Sequence, residues 1–145
     1  MPGYDHTIGL LQVKKAGTST WVTIPNKYIK LEEYKITPNQ MLDLDSYRSE
    51  TGVLLRNVLS HTATKAEYQT PIISETDLAA MMTIIRNGYT DTKAHTLELK
   101  YYVPETQSYK TGTFYVPDID YTIRQIDDTN NKVTYNPVRV AFIEY

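Results

Sequence analysis

The chain has 145 residues, the length of one domain with a single hydrophobic core, and we expect one domain spanning residues 1–145. Fifteen basic and 17 acidic side chains give a net charge of -2, so the chain lacks the excess positive charge typical of proteins that bind nucleic acids. The absence of cysteine excludes disulfides, thiolate catalysis and cysteine-ligated zinc, and it is typical of assembly in a reducing cytoplasm.

The first residues, MPGYDHTIGLLQVKK, contain neither a basic leader nor an apolar run of signal-peptide length. No window approaches the roughly 18 consecutive apolar residues of a membrane-spanning helix, so we expect no membrane span. Tyrosine is abundant, with 13 residues against two phenylalanines and one tryptophan. This composition favours strands, where tyrosine packs well, and it also fits an extensive protein interface.

The first quarter of the chain predicts a β-hairpin. The runs Thr7 to Lys15 and Trp21 to Pro25 are rich in apolar and β-favouring residues, and the connection AGTST has hairpin length and contains glycine. Residues 27–36 then alternate imperfectly, and a strand and a short helix both remain open there. Pro38 and Asn39 form a turn signal before the run MLDLDS.

A single amphipathic helix is predicted at about residues 75–87. The hydroxyl of Ser74 is placed to cap its first turn, with Asp77 three positions on as in a capping box. Gly88 is predicted to end the helix in a left-handed conformation. Apolar residues recur between these two ends at helical spacing: Leu78, Met81, Met82 and Ile85.

Strand patterns return after the helix. Residues 95–103 alternate apolar and polar side chains and can pair with residues 111–116 across PETQSYK. Residues 121–126 precede a cluster of turn formers, and the final run is apolar on both faces, as in a strand covered from both sides. Strands, one helix and more strands predict a mainly β fold, an antiparallel β-sandwich or partly open barrel with one flanking helix.

No pattern predicts catalytic chemistry. The three histidines, His6, His61 and His95, have no partner at metal-ligand spacing, and no phosphate-binding glycine loop or serine-nucleophile motif occurs. The pairs Asp43/Asp45 and Asp118/Asp120 fit solvated carboxylates at strand ends. We therefore expect a non-enzymatic protein without a metal or cofactor. A β-sandwich that binds carbohydrate or a host surface through Trp21 and the tyrosines is the alternative.

The stretch SYRSETGVLLRN carries two arginines around one glycine. Gly52 permits the positive φ of a tight turn, so the sequence predicts a strand, a turn and a returning strand that bring Arg48 and Arg56 close together. Two clustered guanidinium groups need acidic partners, either carboxylates of the same fold or acidic groups of another subunit.

The order of several motifs along the chain resembles that of a known protein family. The pattern D-x-D-SYR-x-x-TG-x-x-x-R-N, then T-K-x-E, the mid-chain helix, TFYVPDIDY and the ending F-I-E is similar to small phage and prophage tail-associated structural proteins of Gram-positive bacteria. The resemblance covers most of residues 40–145. It implies a tail-tube-like fold, and a tail-tube, tail-adaptor or baseplate subunit in the virion, assembled in the host cytoplasm.

The resemblance also implies a homo-oligomeric ring or tube layer that contacts neighbouring tail proteins and meets DNA only as non-specific passage through its lumen. Rings need strand edges and long excursions that reach a neighbour, with charge pairs that orient it. The candidate subunit-interface residues are Tyr47, Arg48, Gly52, Arg56, Tyr101, Tyr102 and Phe142. Packing within one chain is the alternative explanation for each of them.

Overall fold

The structure, a computed structural model, describes residues 3–43, 47–48, 54–55 and 58–145. Within these ranges, side chains are described except at residues 39, 41–43, 47–48, 54–55 and 58–62. Among the described residues, one α-helix is present, and seven strands precede it: β1 (Leu11–Lys14), β2 (Trp21–Thr23), β3 (Lys35–Asp43), β4 (Tyr47–Arg48), β5 (Leu54–Leu55), β6 (Val58–Gln69) and β7 (Ile73–Ser74). The helix and the remaining strands are α1 (Glu75–Asn87), β8 (Thr96–Val103), β9 (Ser108–Tyr115), β10 (Ile123–Asp127), β11 (Lys132–Tyr135) and β12 (Arg139–Glu144).

The described strands form two main antiparallel sheets. The larger has seven strands in the order β2-β1-β8-β9-β12-β6-β3, so β2 and β3 are its edges. The smaller has the order β10-β11-β7, and β4 and β5 form a separate two-stranded ladder. The predicted antiparallel β-sandwich with one flanking helix is confirmed.

The core lies between one face of the large sheet and a second layer that contains α1 and the small sheet. Strand β8 shows the alternation, since its even-numbered residues from Glu98 to Tyr102 are half-buried whereas its odd-numbered residues from Leu97 to Val103 are buried. The second layer contributes Ile73 of β7 and the buried helix residues Leu78, Met81 and Ile85. The predicted apolar face of the helix is therefore the face that packs.

Helix α1 begins as the sequence predicts and ends differently. The Ser74 hydroxyl accepts a hydrogen bond of 3.3 Å from the backbone N–H of Asp77, which is the predicted N-cap. Gly88, however, has φ -86° and ψ -13°, a right-handed conformation, so the predicted left-handed end is wrong. Glycine is required there for another reason, because a Cβ on Gly88 would overlap the Val13 side chain.

Both predicted local hairpins are present. β1 pairs antiparallel with β2, with Val13 opposite Val22, and β8 pairs with β9 over the full length of both strands. Residues 27–36 form neither a complete strand nor an α-helix. Two short 3-10 turns, Asn26–Tyr28 and Leu31–Glu33, carry the chain from β2 to the start of β3.

The terminal strand β12 lies inside the large sheet, between β9 and β6. Val138 just before it, and Val140 and Phe142 within it, are fully buried, as the predicted inner face requires. Ala141 is also buried, and Ile143 on the same outer face is half-buried. A central position explains the apolar residues on both faces of this strand.

Strands β3 and β6 continue as a two-stranded ribbon past the end of β12. β12 pairs with β6 from Lys65 to Gln69, whereas the β3–β6 pairing runs on until Asp43 faces Val58. The residues from Val58 to Ala63 span about 20 Å at roughly 3.3 Å per residue and pair with β3 alone among the described residues. Residues 44–57, which include β4 and β5, connect the two strands at this end.

Candidate functional site

The stretch with the two arginines connects the strands of the ribbon. β4 pairs antiparallel with β5, with Arg48 opposite Leu54, so the chain runs out and returns as the sequence predicts. Gly52 and Arg56 lie outside the described residues, and the side chains of Tyr47 and Arg48 are not described. The predicted closeness of the two arginines therefore stays a prediction.

Two of the candidate interface residues lie in the core of a single chain. Phe142 has no exposed surface, and the Tyr101 side chain is 3% exposed and packs edge-on against Phe114 at 5.3 Å between ring centroids. Burial raises the pKa of the Tyr101 hydroxyl, and a hydrogen bond with Thr64 offsets part of this rise. Neither side chain presents a surface to another subunit, so the pattern that suggested an interface is explained by intramolecular packing.

Tyr102 lies on the outer face of the large sheet, in a cluster of three tyrosines. Its ring meets Tyr4 edge-on at 5.9 Å and Tyr109 at 5.3 Å between centroids. The Tyr109 hydroxyl accepts a hydrogen bond from the backbone N–H of Asp5 and donates one of 2.8 Å to the carbonyl of Gly9. These contacts hold the segment before β1 against the sheet, and they leave Tyr102 half-buried within its own chain.

Trp21 also lies on the outer face, which the sequence did not predict. It pairs with Lys14 and alternates with Val22, which pairs with the buried Val13. The Lys100 ammonium sits 4.8 Å from the centroid of the half-buried indole, a cation–π contact. One face of the ring is therefore covered by Lys100, which leaves less of it for stacking on a sugar.

Glu67 holds a small ion cluster on the outer face of β6. Its carboxylate accepts a hydrogen bond from the Arg139 guanidinium and lies 4.0 Å from the Lys65 ammonium. The sequence gives no signal for the contact with Arg139, because β6 and β12 are far apart along the chain. Exposed ion pairs of this kind contribute at most about 1 kcal/mol, so the cluster fixes register more than stability.

The sequence's candidate acidic and histidine residues do not assemble into a site in the described part of the chain. Asp118 and Asp120 are exposed, the Asp43 side chain is not described, and Asp45 lies outside the described residues. His95 stacks in parallel with Tyr89, at 4.8 Å between ring centroids. No group of three or more metal-ligating side chains occurs among the described residues.

A groove that sequence reasoning missed runs between α1 and the segment from Pro117 to Ile123. Two adjoining cavities of about 420 and 450 Å³ share Met82 and Tyr121 as lining residues. Arg86 lines one end of the groove. Burial raises the pKa of the Tyr121 and Tyr89 hydroxyls, and the Arg86 guanidinium offsets part of this rise. The apolar spacing of Tyr121 and Ile123 is the only sequence signal that pointed to this surface.

Strand β10 presents an apolar edge beside this groove. A bulge shifts its register, so Ile123 faces Tyr135 and Ile126 faces Val133. Because Val133 and Tyr135 lie on the same face of β11, the bulge turns both isoleucines to that face. Three of the seven exposed large apolar side chains in the described part of the chain lie in this short segment: Tyr121, Ile123 and Ile126, at 47%, 53% and 57% exposure.

Comparison with known proteins gives the family of this chain. Residues 15–145 match the family of unknown function DUF6711. The chain belongs to this family. The match begins directly after β1 and covers helix α1 and every other described strand of this DUF6711 protein. No curated protein matches the chain.

Among the helices formed by the described residues, none is long and apolar enough to cross a membrane.

Proposed function

We propose that this DUF6711 protein is a non-enzymatic structural component of a long-tailed bacteriophage tail, where it forms a homo-oligomeric ring or tube layer. The tail assignment is supported by the resemblance of residues 40–145 to tail-associated proteins. The oligomeric assembly is supported by one structural observation, the β3–β6 ribbon. Its partners are further copies of itself and neighbouring tail proteins, and it acts as a tail-tube, adaptor or baseplate subunit.

The ribbon carries the proposal because of its energetics. A two-stranded β-ribbon is at best marginally stable in water without a third strand or a packing partner. β12 ends at Glu144, whose carboxylate accepts a hydrogen bond of 2.9 Å from the backbone N–H of Thr64 in β6. Before Thr64, the residues of β6 pair with β3 on one side, and no described strand of the large sheet lies on the other side. A neighbouring subunit would supply the missing contact.

The charge of the chain fits a channel through which DNA passes. A net charge of -2 gives no general attraction for phosphates, so a lumen lined by such subunits would not retain DNA electrostatically. DNA then meets the protein only as a passing polymer. The sequence of the DNA is irrelevant to such a role.

Electron microscopy of the purified chain tests this proposal. We expect rings or short tubes at high protein concentration, and light scattering should show a mass that rises with concentration.

A matched pair of loop variants sharpens the test. In the first, residues 44–57 are replaced by a short Asn-Gly turn, which should leave a folded monomer that does not assemble. In the control, the exposed turn at residues 104–107 is replaced in the same way and assembly should persist.

Two results would contradict the proposal. One is a native chain that remains monomeric over a wide concentration range, alone and with a lysate of phage-infected cells. The other is specific glycan binding that Trp21→Ala abolishes without loss of fold, which would support the alternative of a carbohydrate or host-surface binding module.

A further inference from the structure

Helix α1 lies between two edge strands, one from each main sheet. β2 is an edge of the large sheet, and the β1–β2 turn reaches the C-terminal end of the helix, where the backbone N–H of Ala16 donates to the Asn87 carbonyl at 2.9 Å. β10 is an edge of the small sheet, whose other edge, β7, leads directly into the N-terminus of the helix. The helix of 13 residues spans about 20 Å.

The two edges carry opposite charge. Residues 14–29 contain three lysines and no acidic residue, and Lys100 adds a fourth ammonium group over Trp21. Residues 117–128 contain four aspartates and one arginine, Arg124. These two segments therefore carry formal charges of +3 and -3. The basic edge is formed by Lys14, Lys15, Lys27 and Lys100, and the acidic edge by Asp118, Asp120 and Asp128.

Among the described residues, these charged side chains have no ion-pair partner. In the part of the chain that the structure describes, the only ion pairs are those of Glu67 with Lys65 and Arg139. Asp127, the fourth aspartate, is already used in its own turn, where it accepts hydrogen bonds from Thr129 and Asn130. Two carboxylates before β1 and in β8 also accept hydrogen bonds within the chain, Asp5 from Thr7 and Glu98 from Thr113.

Apolar surface lies next to the charges on both edges. The acidic edge exposes Tyr121, Ile123 and Ile126, and the basic edge exposes part of Trp21. An apolar centre with a charged rim is the usual anatomy of a specific protein interface. A neighbouring strand at β10 would cover both isoleucines, because the bulge places them on one face.

We propose that the acidic β10 edge of one copy docks against the basic β2 edge of a second copy. The contact is head-to-tail, because each copy keeps the other edge free for a further copy, and such a contact closes into a ring when the rotation between copies permits. Pairing of either edge with itself is disfavoured by like charges. This inference rests on the proposed function, since it names the subunit contact that such a ring would use.

Charge reversal tests the contact. The variant K14E/K15E/K27E and the variant D118K/D120K/D128K should each associate roughly tenfold or more weakly than the native chain, because each sets like charges against each other. A 1:1 mixture of the two should recover association, since each reversed edge then meets an edge of opposite charge. Raising the salt from 0.05 to about 0.5 M should weaken native association, because exposed charges are screened.

Disulfide crosslinking locates the contact independently, because the native chain contains no cysteine. A mixture of the single-cysteine variants Thr20→Cys and Gln125→Cys should yield a heterodimeric disulfide under mild oxidation. Both positions are exposed, one directly before β2 and the other in β10. The control mixture of Glu105→Cys with Gln125→Cys places a cysteine in the exposed turn between β8 and β9 and should crosslink far less.

The outcomes separate this contact from the proposed function. If the native chain forms rings, yet both charge variants assemble normally and the Thr20–Gln125 pair crosslinks no better than its control, the contact is wrong and the ring survives. If the mixture of charge variants associates only as dimers and the Thr20–Gln125 cysteine pair crosslinks above its control, with no rings from the native chain, the contact stands and the ring fails. If the native chain does not assemble, and the mixture of Thr20→Cys and Gln125→Cys crosslinks no better than its control, both are overturned.

Discussion

Gly88 ends helix α1 without using the conformational freedom of glycine. Its right-handed φ of -86° is open to any residue, and alanine would raise the helix propensity at this end. Steric crowding explains the glycine instead, because an added Cβ would overlap the Val13 side chain and lie 3.1 Å from the Lys14 carbonyl oxygen. The glycine therefore allows the helix to approach strand β1 closely.

We expect Gly88→Ala to destabilise the protein by about 1–3 kcal/mol, the usual cost of overpacking a close contact. Urea unfolding followed by circular dichroism would measure the change. In a Val13→Ala background the same substitution should cost clearly less, since the overlapping methyl groups are gone. Equal costs in both backgrounds would show that the helix end, and not the contact with β1, is what Gly88 serves.

Two tyrosines with buried hydroxyls make the free energy of unfolding depend on pH in the alkaline range. The Tyr68 side chain is fully buried, and its hydroxyl lies 3.2 Å from the Met81 sulfur, a weak acceptor. The Tyr34 hydroxyl is buried with no hydrogen-bond partner among the described residues. Burial raises the pKa of both hydroxyls far above the ordinary tyrosine value.

The sign of the effect follows from proton release. Above about pH 10 the unfolded chain loses these phenolic protons while the folded chain retains them, so the free energy of unfolding falls as pH rises. The contribution is fully present below about pH 10 and is lost progressively above it. Urea titrations at pH 9 to 11 should show this fall, and the double variant Tyr34→Phe/Tyr68→Phe should make it smaller. Tyr145→Phe, at an exposed tyrosine, controls for hydroxyl removal and should leave the fall unchanged.

At the scale of single elements, the N-terminal cap of α1 is the feature most open to a direct test. Ser74→Ala removes the acceptor of the Asp77 N–H, and loss of such a cap typically costs about 1 kcal/mol. Thermal unfolding of the variant measures the loss. Ser74→Asp should retain most of the native stability, since a carboxylate also caps and suits the helix dipole. Loss of stability in both variants would assign Ser74 a packing role instead.

Local signals made several elements predictable from the sequence. The helix has a cap, an apolar stripe and a following glycine, and each of the two short hairpins joins strands that are adjacent in the chain. Contacts between distant segments were not predictable. Nothing local indicates that β11 pairs with β7, that β12 lies between β9 and β6, or that a bulge turns two isoleucines of β10 to one face.

The same limit applies to the candidate site. An apolar strand face looks the same in sequence whether it packs inside its own chain or against a neighbour, so Tyr101 and Phe142 were placed among the interface candidates although both are core residues. The two edges with opposite charge became visible only once the sheets gave β2 and β10 their positions. The reversal between β4 and β5 was predictable because a glycine in the connecting sequence favours a turn.

At the scale of the whole molecule, the ribbon and its two arginines should affect assembly and leave the fold intact. We expect Arg48→Glu and Arg56→Glu to change the free energy of unfolding of the monomer by no more than about 0.5 kcal/mol, as surface substitutions usually do. Each should nevertheless impair ring formation, which light scattering and electron microscopy measure. Lys93→Glu makes the same charge change in an exposed turn and should leave assembly intact. A large loss of monomer stability in either arginine variant would show that the arginine pairs within its own chain.

The central position of β12 has a consequence for how the chain reaches this structure. The strand joins the four strands β2, β1, β8 and β9 to the two strands β6 and β3, although it is the last strand in the sequence. Its partners in β6 lie about 70 residues earlier, and contacts this distant in sequence slow folding because a long loop must close first. During synthesis, the two parts of the sheet therefore cannot join until residues 139–144 have been made, and their inner edges stay unpaired until then.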